Sequence, residues 1–281
     1  RSHLKAAGKA NWGGVKQALQ AIEKARAEGL DVRADAYPYT AGSPFITALL
    51  PRWAHQGGMP SMMERLRDSE SRRRIASDIK RSDGDWENLP RVAGWDNIVL
   101  LGFPPDHRLE GESIEQVARA RGIEPADALM DLILESEGAA AVGVFDLSEK
   151  DVSAAITHPL TMIISDGAPS PGLDHPRLYG TFPNVLGEYV RSRAALPLEA
   201  AVRKMTSYVA QTHNLADRGV IAPGYHADLT LFDPTTVADR STYEEPDQSP
   251  EGIEAVFVAG ELVLREGELT GAQPGRPLVV A

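Results

Sequence analysis

Cysteine is absent from all 281 residues, which excludes an internal disulfide framework and any thiolate metal site. A metal held by this chain must be bound by His, Asp or Glu. No apolar run approaches the about 18–20 residues that a membrane helix needs, so no membrane partner is expected. Basic charge is in deficit, 29 Lys plus Arg against 40 Asp plus Glu, and the formal charge of −11 repels phosphate backbones and anionic surfaces. Nucleic acid is therefore not an expected partner. No glycine-rich loop has Walker or Rossmann spacing, so nucleotide binding has no support. The opening residues 1–5 (RSHLK) lack an initiator Met, an apolar stretch and a cleavage-site pattern, and read as an interior start rather than a signal peptide. The absence of cysteine fits a cytoplasmic protein, the expected location.

Hydrophobic residues at 42% and charged residues at 25% are those of a globular chain, long enough for one large α/β domain or two ordinary ones. Val15, Ala18, Leu19, Ile22 and Ala25 recur at helical spacing over 14–28, with Gly29 where a helix stop belongs. A strand follows over 30–37, halted by the prolyl segment 37–40. Residues 44–95, rich in Met, Arg and Ser, break this rhythm and read as an insertion or lid with one helix over 61–79. Strands over 97–103, 139–145 and 161–165 then alternate with helices over 113–122, 125–135 and 148–157. Ser113 and Gln116 form a capping-box pattern, and Ser148 is the expected N-cap of the last of these helices. The alternation is that of a parallel barrel. A helix over 198–213 precedes short strands within 219–232, 256–258 and 261–265, so 1–215 reads as barrel and 216–281 as a small β-rich domain.

The chemistry-bearing positions fall at strand ends. Met162-Ile163-Ile164-Ser165-Asp166-Gly167 delivers an acid where α/β barrels carry their active sites; Asp166 could ligate a metal or move a proton, or could be a turn residue, since Asp-Gly is a turn signal. His3 could ligate zinc or be structural. Tyr37 could donate a hydrogen bond to a substrate carboxylate or pack at a rim. Arg177 has the shape for bidentate carboxylate recognition, or for a surface ion pair. His55, His107, His158, His213 and His226 form no ligand-spaced pair and receive no role, and Arg72, Arg73 and Arg74 read as a solvated face.

Together, residues 2–5 (SHLK), 11–13 (NWG), 35–43 (DAYPYTAGS), 165–167 (SDG), 175–183 (HPRLYGTFP) and 204–207 (KMTS) resemble the N-acyl-D-amino-acid deacylases, or D-aminoacylases, of the amidohydrolase superfamily. The resemblance continues through 218–221 (RGVI), 232–239 (FDPTTVAD) and 267–271 (GELTG). It implies a zinc-dependent hydrolase on a distorted (β/α)8 barrel with a small β-rich C-terminal domain. The substrate would be an N-acyl-D-amino acid, cleaved to the D-amino acid and a carboxylic acid. By the same resemblance His3 and Asp166 are metal ligands, Asp166 is the catalytic acid and base, and Lys5, Tyr37 and Arg177 clamp the substrate carboxylate. The family's upstream HxH pair, bridging Cys and further ligand His are not in this sequence, so the chain matches a C-terminal part. That leaves activity that depends on the missing half or on a partner chain supplying it, or a catalytically incomplete subunit. A hydantoinase or dihydroorotase type of cyclic amidase is the remaining alternative within the superfamily.

Overall fold

A computed structural model describes residues 2–81, 86–170 and 172–278. Arg1 of the opening motif and positions 82–85 of the expected insertion lie outside the described residues. Helix α1 (Gly14–Ala27) buries Val15, Leu19 and Ile22, the stripe that the sequence marks. It ends as a Schellman motif: Gly29 sits at φ 91°, its N–H reaches Arg26 O, and the Leu30 N–H reaches Ala25 O. Strand β1 (Ala34–Ala36) is shorter than the expected 30–37, because only these residues pair, in parallel, with β4 (Thr161–Ile163).

Between them lies a second packing unit. Helices α2 (Gly58–Arg67), α3 (Ser69–Lys80) and α4 (Leu89–Ala93) precede β2 (Ile98–Gly102), α5 (Ile114–Arg121), α6 (Pro125–Glu135) and β3 (Ala141–Val144). The single helix expected over 61–79 is broken at Asp68, whose carboxylate accepts the Ser71 N–H and starts α3. Met62, Leu66, Ile75 and Ile79 from this stretch pack into one core with Ile98, Leu100, Leu129 and Val142. Arg72 is no solvated cation: it bridges Asp127 and Asp131 of α6 at 3.0 and 2.9 Å. The expected parallel alternation fails here, for β2 and β3 pair antiparallel. Both are apolar on each face, and an apolar run carries no information on strand direction.

Helix α7 (Glu149–Thr157) leads into β4, and α8 (Arg177–Asn184) continues into a π-helical turn, Val185–Ser192. Ser148 makes no cap bond at α7; instead Asp151 of its first turn accepts the Gly13 N–H at 2.7 Å, docking α7 on the start of α1. The last helical stretch divides into α9 (Leu198–Met205) and α10 (Ser207–Thr212) at Thr206, whose backbone leaves the helical region. Strands β5 (Leu229–Phe232), β6 (Ile253–Val258), β7 (Glu261–Arg265) and β8 (Glu268–Leu269) then form one antiparallel sheet in sequence order. Among the described residues no helix is long and apolar enough to cross a membrane.

Candidate active site

Residues 2–5 run alongside β1, with the Leu4 N–H on Asp35 O at 2.7 Å, and the His3 N–H donates to the Asp35 carboxylate. That register brings His3 and Lys5 to the end of β1, two positions from Tyr37. Lys5 Nζ lies 2.9 Å from His3 Nδ1 and 3.5 Å from the Tyr37 hydroxyl. Asp166 follows β4, the partner of β1, so it emerges at the same end. Its Oδ2 is 3.0 Å from a terminal nitrogen of Arg177, the first residue of α8. The Arg177 guanidinium lies over the Tyr37 ring at 4.7 Å. All five residues singled out in the sequence therefore stand in one chain of contacts, His3 to Lys5 to Tyr37 to Arg177 to Asp166. Two of them, His3 at φ 39° and Asp166 at φ 49°, occupy left-handed backbone that non-glycine residues rarely adopt.

Burial sets the protonation states. It pushes the Tyr37 phenol up to about 12, so the hydroxyl keeps its proton and can donate. It holds Lys5 below the ordinary lysine value, opposed by the nearby Asp166 charge. Arg177 is 7% exposed, and its Nε is buried without a hydrogen-bond partner, a donor left over inside the site. A cavity of about 790 Å³ opens on the His3 and Lys5 side, lined also by Ser2, Trp12, Asn88 and Arg91. Asp166 and Arg177 are not among its lining residues.

Two buried groups beside the site carried no assigned role in the sequence. Asp146, two residues past β3, is 6% exposed with Oδ2 unpartnered. Burial, reinforced by Glu87, pushes its carboxyl up to about 6. Its place just beyond a strand end, the same kind of position as Asp166, is the signal that could have found it. His175 is 4% exposed, and burial together with the adjacent Arg177 charge pushes its imidazole down to about 3. Its adjacency to Pro176 and Arg177 was visible, but Ala41, whose carbonyl meets its Nε2, lies 134 positions away.

Imidazole and carboxylate are zinc-type donors, and His3 and Asp166 supply one of each. Among the described residues, however, no group of three or more His, Cys, Asp or Glu side chains stands close enough to hold a metal ion. The donor types fit; their number falls short of a closed site.

The sequence model of the amidohydrolase family matches residues 35–264. The chain belongs to that family. It is 36% identical to a D-aminoacylase of Alcaligenes xylosoxydans xylosoxydans over 99% of this chain and 48% of the relative. It is 34% identical to an N-acyl-D-glutamate deacylase of the same organism, over 99% of this chain and 47% of that one. Among solved structures, the N-acyl-D-glutamate deacylase of Bordetella bronchiseptica superposes with a TM-score of 0.73 at 31% identity, covering 95% of this chain and 47% of that chain. That enzyme was solved with zinc and a phosphonate that mimics the tetrahedral intermediate of its reaction. This amidohydrolase chain thus spans about half the length of the curated relatives it matches, and its fold is the mixed helix-and-sheet fold of that superfamily.

Proposed function

We propose that the chain contributes the carboxylate-binding and proton-transfer side of a zinc-dependent hydrolase site that cleaves N-acyl-D-amino acids to a D-amino acid and a carboxylic acid. The observation that carries this is the unbroken chain of contacts from Lys5 through Tyr37 and Arg177 to Asp166. Two cations and a protonated phenol suit an α-carboxylate, and the unpartnered Arg177 Nε is a donor such a ligand can satisfy. In the proposed reaction Asp166 takes a proton from the attacking water as the new C–O bond forms at the amide carbon. It then returns that proton to the nitrogen as the C–N bond breaks. Arg177, in contact with both the clamp and Asp166, orients the carboxylate for those transfers. Selectivity for the D form follows from where the clamp holds the α-carbon relative to Asp166.

Zinc supplies Lewis-acid polarisation of the scissile carbonyl when bound. His3 and Asp166 are the residues of this chain that would hold it, with further donors supplied by the rest of a longer enzyme or by a partner chain. A hydrolytic zinc site needs about three protein ligands and an open position, and among the described residues His3 and Asp166 supply two donors of the fitting type. The parallel β1–β4 pair with its flanking helices supports assigning residues 1–215 to part of a distorted (β/α)8 barrel, with 44–95 as the insertion. The antiparallel β5–β8 sheet supports a small domain over 216–281. A cyclic amidase is not favoured: the relatives above are named a D-aminoacylase and an N-acyl-D-glutamate deacylase.

Asp166→Asn in the assembled enzyme tests the reading. Turnover of N-acyl-D-amino acids is expected to fall by at least about 10³-fold with folding unchanged, on the order of 4 kcal/mol of barrier. Turnover within about tenfold of the parent rules out the proton-transfer role.

A further inference from the structure

The loop from β4 to α8 must place Arg177 against both Asp166 and Tyr37, yet Pro176, the residue at the N-cap of α8, supplies no side-chain cap. The cap comes from the residue before. The Arg177 N–H, one of the orphan donors of a helix start, lies 3.0 Å from His175 Nδ1. A ring nitrogen that accepts carries no proton, so the proton of the neutral imidazole is on Nε2. Nε2 is 3.1 Å from the Ala41 carbonyl, 134 positions away, which requires a donor. Both ends of the ring thus demand the same tautomer.

We propose that His175 is a positioning residue for the substrate clamp, tying the backbone of Arg177 to the Tyr37–Ala41 segment so that the guanidinium and phenol are held in fixed relation. The inference rests on the clamp assignment above. The ring is held on three sides, by Tyr39 at 5.4 Å, Tyr243 at 5.1 Å and Tyr37 at 6.5 Å, all edge-on. Tyr39 is fixed in turn, its hydroxyl donating to Asp239 Oδ2 at 2.7 Å. Asp239 and Tyr243 lie between β5 and β6, so the C-terminal region braces the clamp through this histidine. Burial keeps the imidazole neutral, so the tether does not titrate in the ordinary working range.

Two variants separate hydrogen bonding from packing. His175→Phe keeps the ring and loses its bonds to Arg177 and Ala41 together with the 3.5 Å contact of Nε2 with the Tyr243 hydroxyl; His175→Asn places an amide oxygen where it can still accept the Arg177 N–H. In the assembled enzyme, His175→Phe is expected to raise KM for N-acyl-D-amino acids about tenfold with kcat within about threefold, the signature of lost uniform binding. KM for the carboxamide analogue, which lacks the clamped carboxylate, stays at the parent value, and His175→Asn recovers most of the loss. In an Arg177→Ala background, His175→Phe adds nothing to KM. An equal KM rise on both substrates, or a full His175→Phe effect on top of Arg177→Ala, overturns the proposal. A second measurement requires neither substrate nor variant: nitrogen NMR of the His175 ring is expected to show a protonated Nε2 and bare Nδ1 from about pH 5 to 8. The opposite tautomer, or titration in that range, overturns the tether. An enzyme that hydrolyses no N-acyl-D-amino acid at all defeats the deacylase reading and leaves the NMR result to decide the tether.

Discussion

Around residues 46–144 the sealed side chains are aliphatic, aromatic and sulfur-bearing, and the polar groups buried with them are small and satisfied. Asn88 donates to Ile79 O, Ser113 belongs to a capping box, and Ser136 donates to Leu132 O. The packing around residues 4–41 and 146–237 seals Asp146, Asp151, His175, Arg177 and Lys204 instead. The buried side-chain atoms without a hydrogen-bond partner among the described residues all fall in that second region: Asp146 Oδ2, Thr161 Oγ1, Arg177 Nε, Asn184 Oδ1 and Tyr208 OH. Native cores tolerate few such atoms, and those kept concentrate where binding or chemistry requires them. The first region holds the fold together, and the second gives up some of that stability to fix charges in place.

Leu129 is fully buried in the first core, so Leu129→Ala is expected to cost about 3 kcal/mol in denaturant unfolding and leave turnover of the assembled enzyme, per folded molecule, unchanged. A turnover change as large as the stability loss would erase the distinction between the regions. Asp146→Asn reports on the second. The folded-state pKa of this carboxyl, about 6, lies above the ordinary value of 3.8. Its contribution to stability is therefore full below about pH 4 and lost as pH rises through 6. His175 works the other way: its lowered pKa gives stability that is full above pH 6.5 and lost as pH falls towards about 3. The difference between variant and parent isolates Asp146. It is expected to be nil near pH 4 and to reach ~2 kcal/mol in favour of Asp146→Asn by pH 7. Ser113→Ala, removing a capping bond of 3.2 Å in the first region, costs about 1 kcal/mol at every pH. A pH-dependent loss there would place a hidden charge in the first region.

What could be read from the sequence was local. The α1 stripe, the Schellman stop at Gly29 and the Ser113–Gln116 box all depend on neighbours within a few positions, and all are present. His3, Lys5, Tyr37, Asp166 and Arg177 were singled out through short motifs that resemble a family, and the structure shows only that they stand in contact with one another. What stayed hidden depended on distant partners. Ser148 has the right residue type for an N-cap, but the first turn of α7 docks through Asp151 onto Gly13, 138 positions away. Met62, Leu66, Ile75 and Ile79 show a buried face without saying that it packs on β2 and β3. His175 looks like a loop residue until Ala41 is brought beside it.

Zinc ligation by His3 and Asp166, with further donors from beyond the described residues, is the part of the proposal most open to direct measurement. Zinc content and D-amino acid release, measured together on the purified chain with and without the polypeptide that supplies the remaining ligands, test it most directly. Substoichiometric zinc and no hydrolysis are expected for the chain alone, with both restored on assembly. Stoichiometric zinc and D-selective hydrolysis by the chain alone would contradict it.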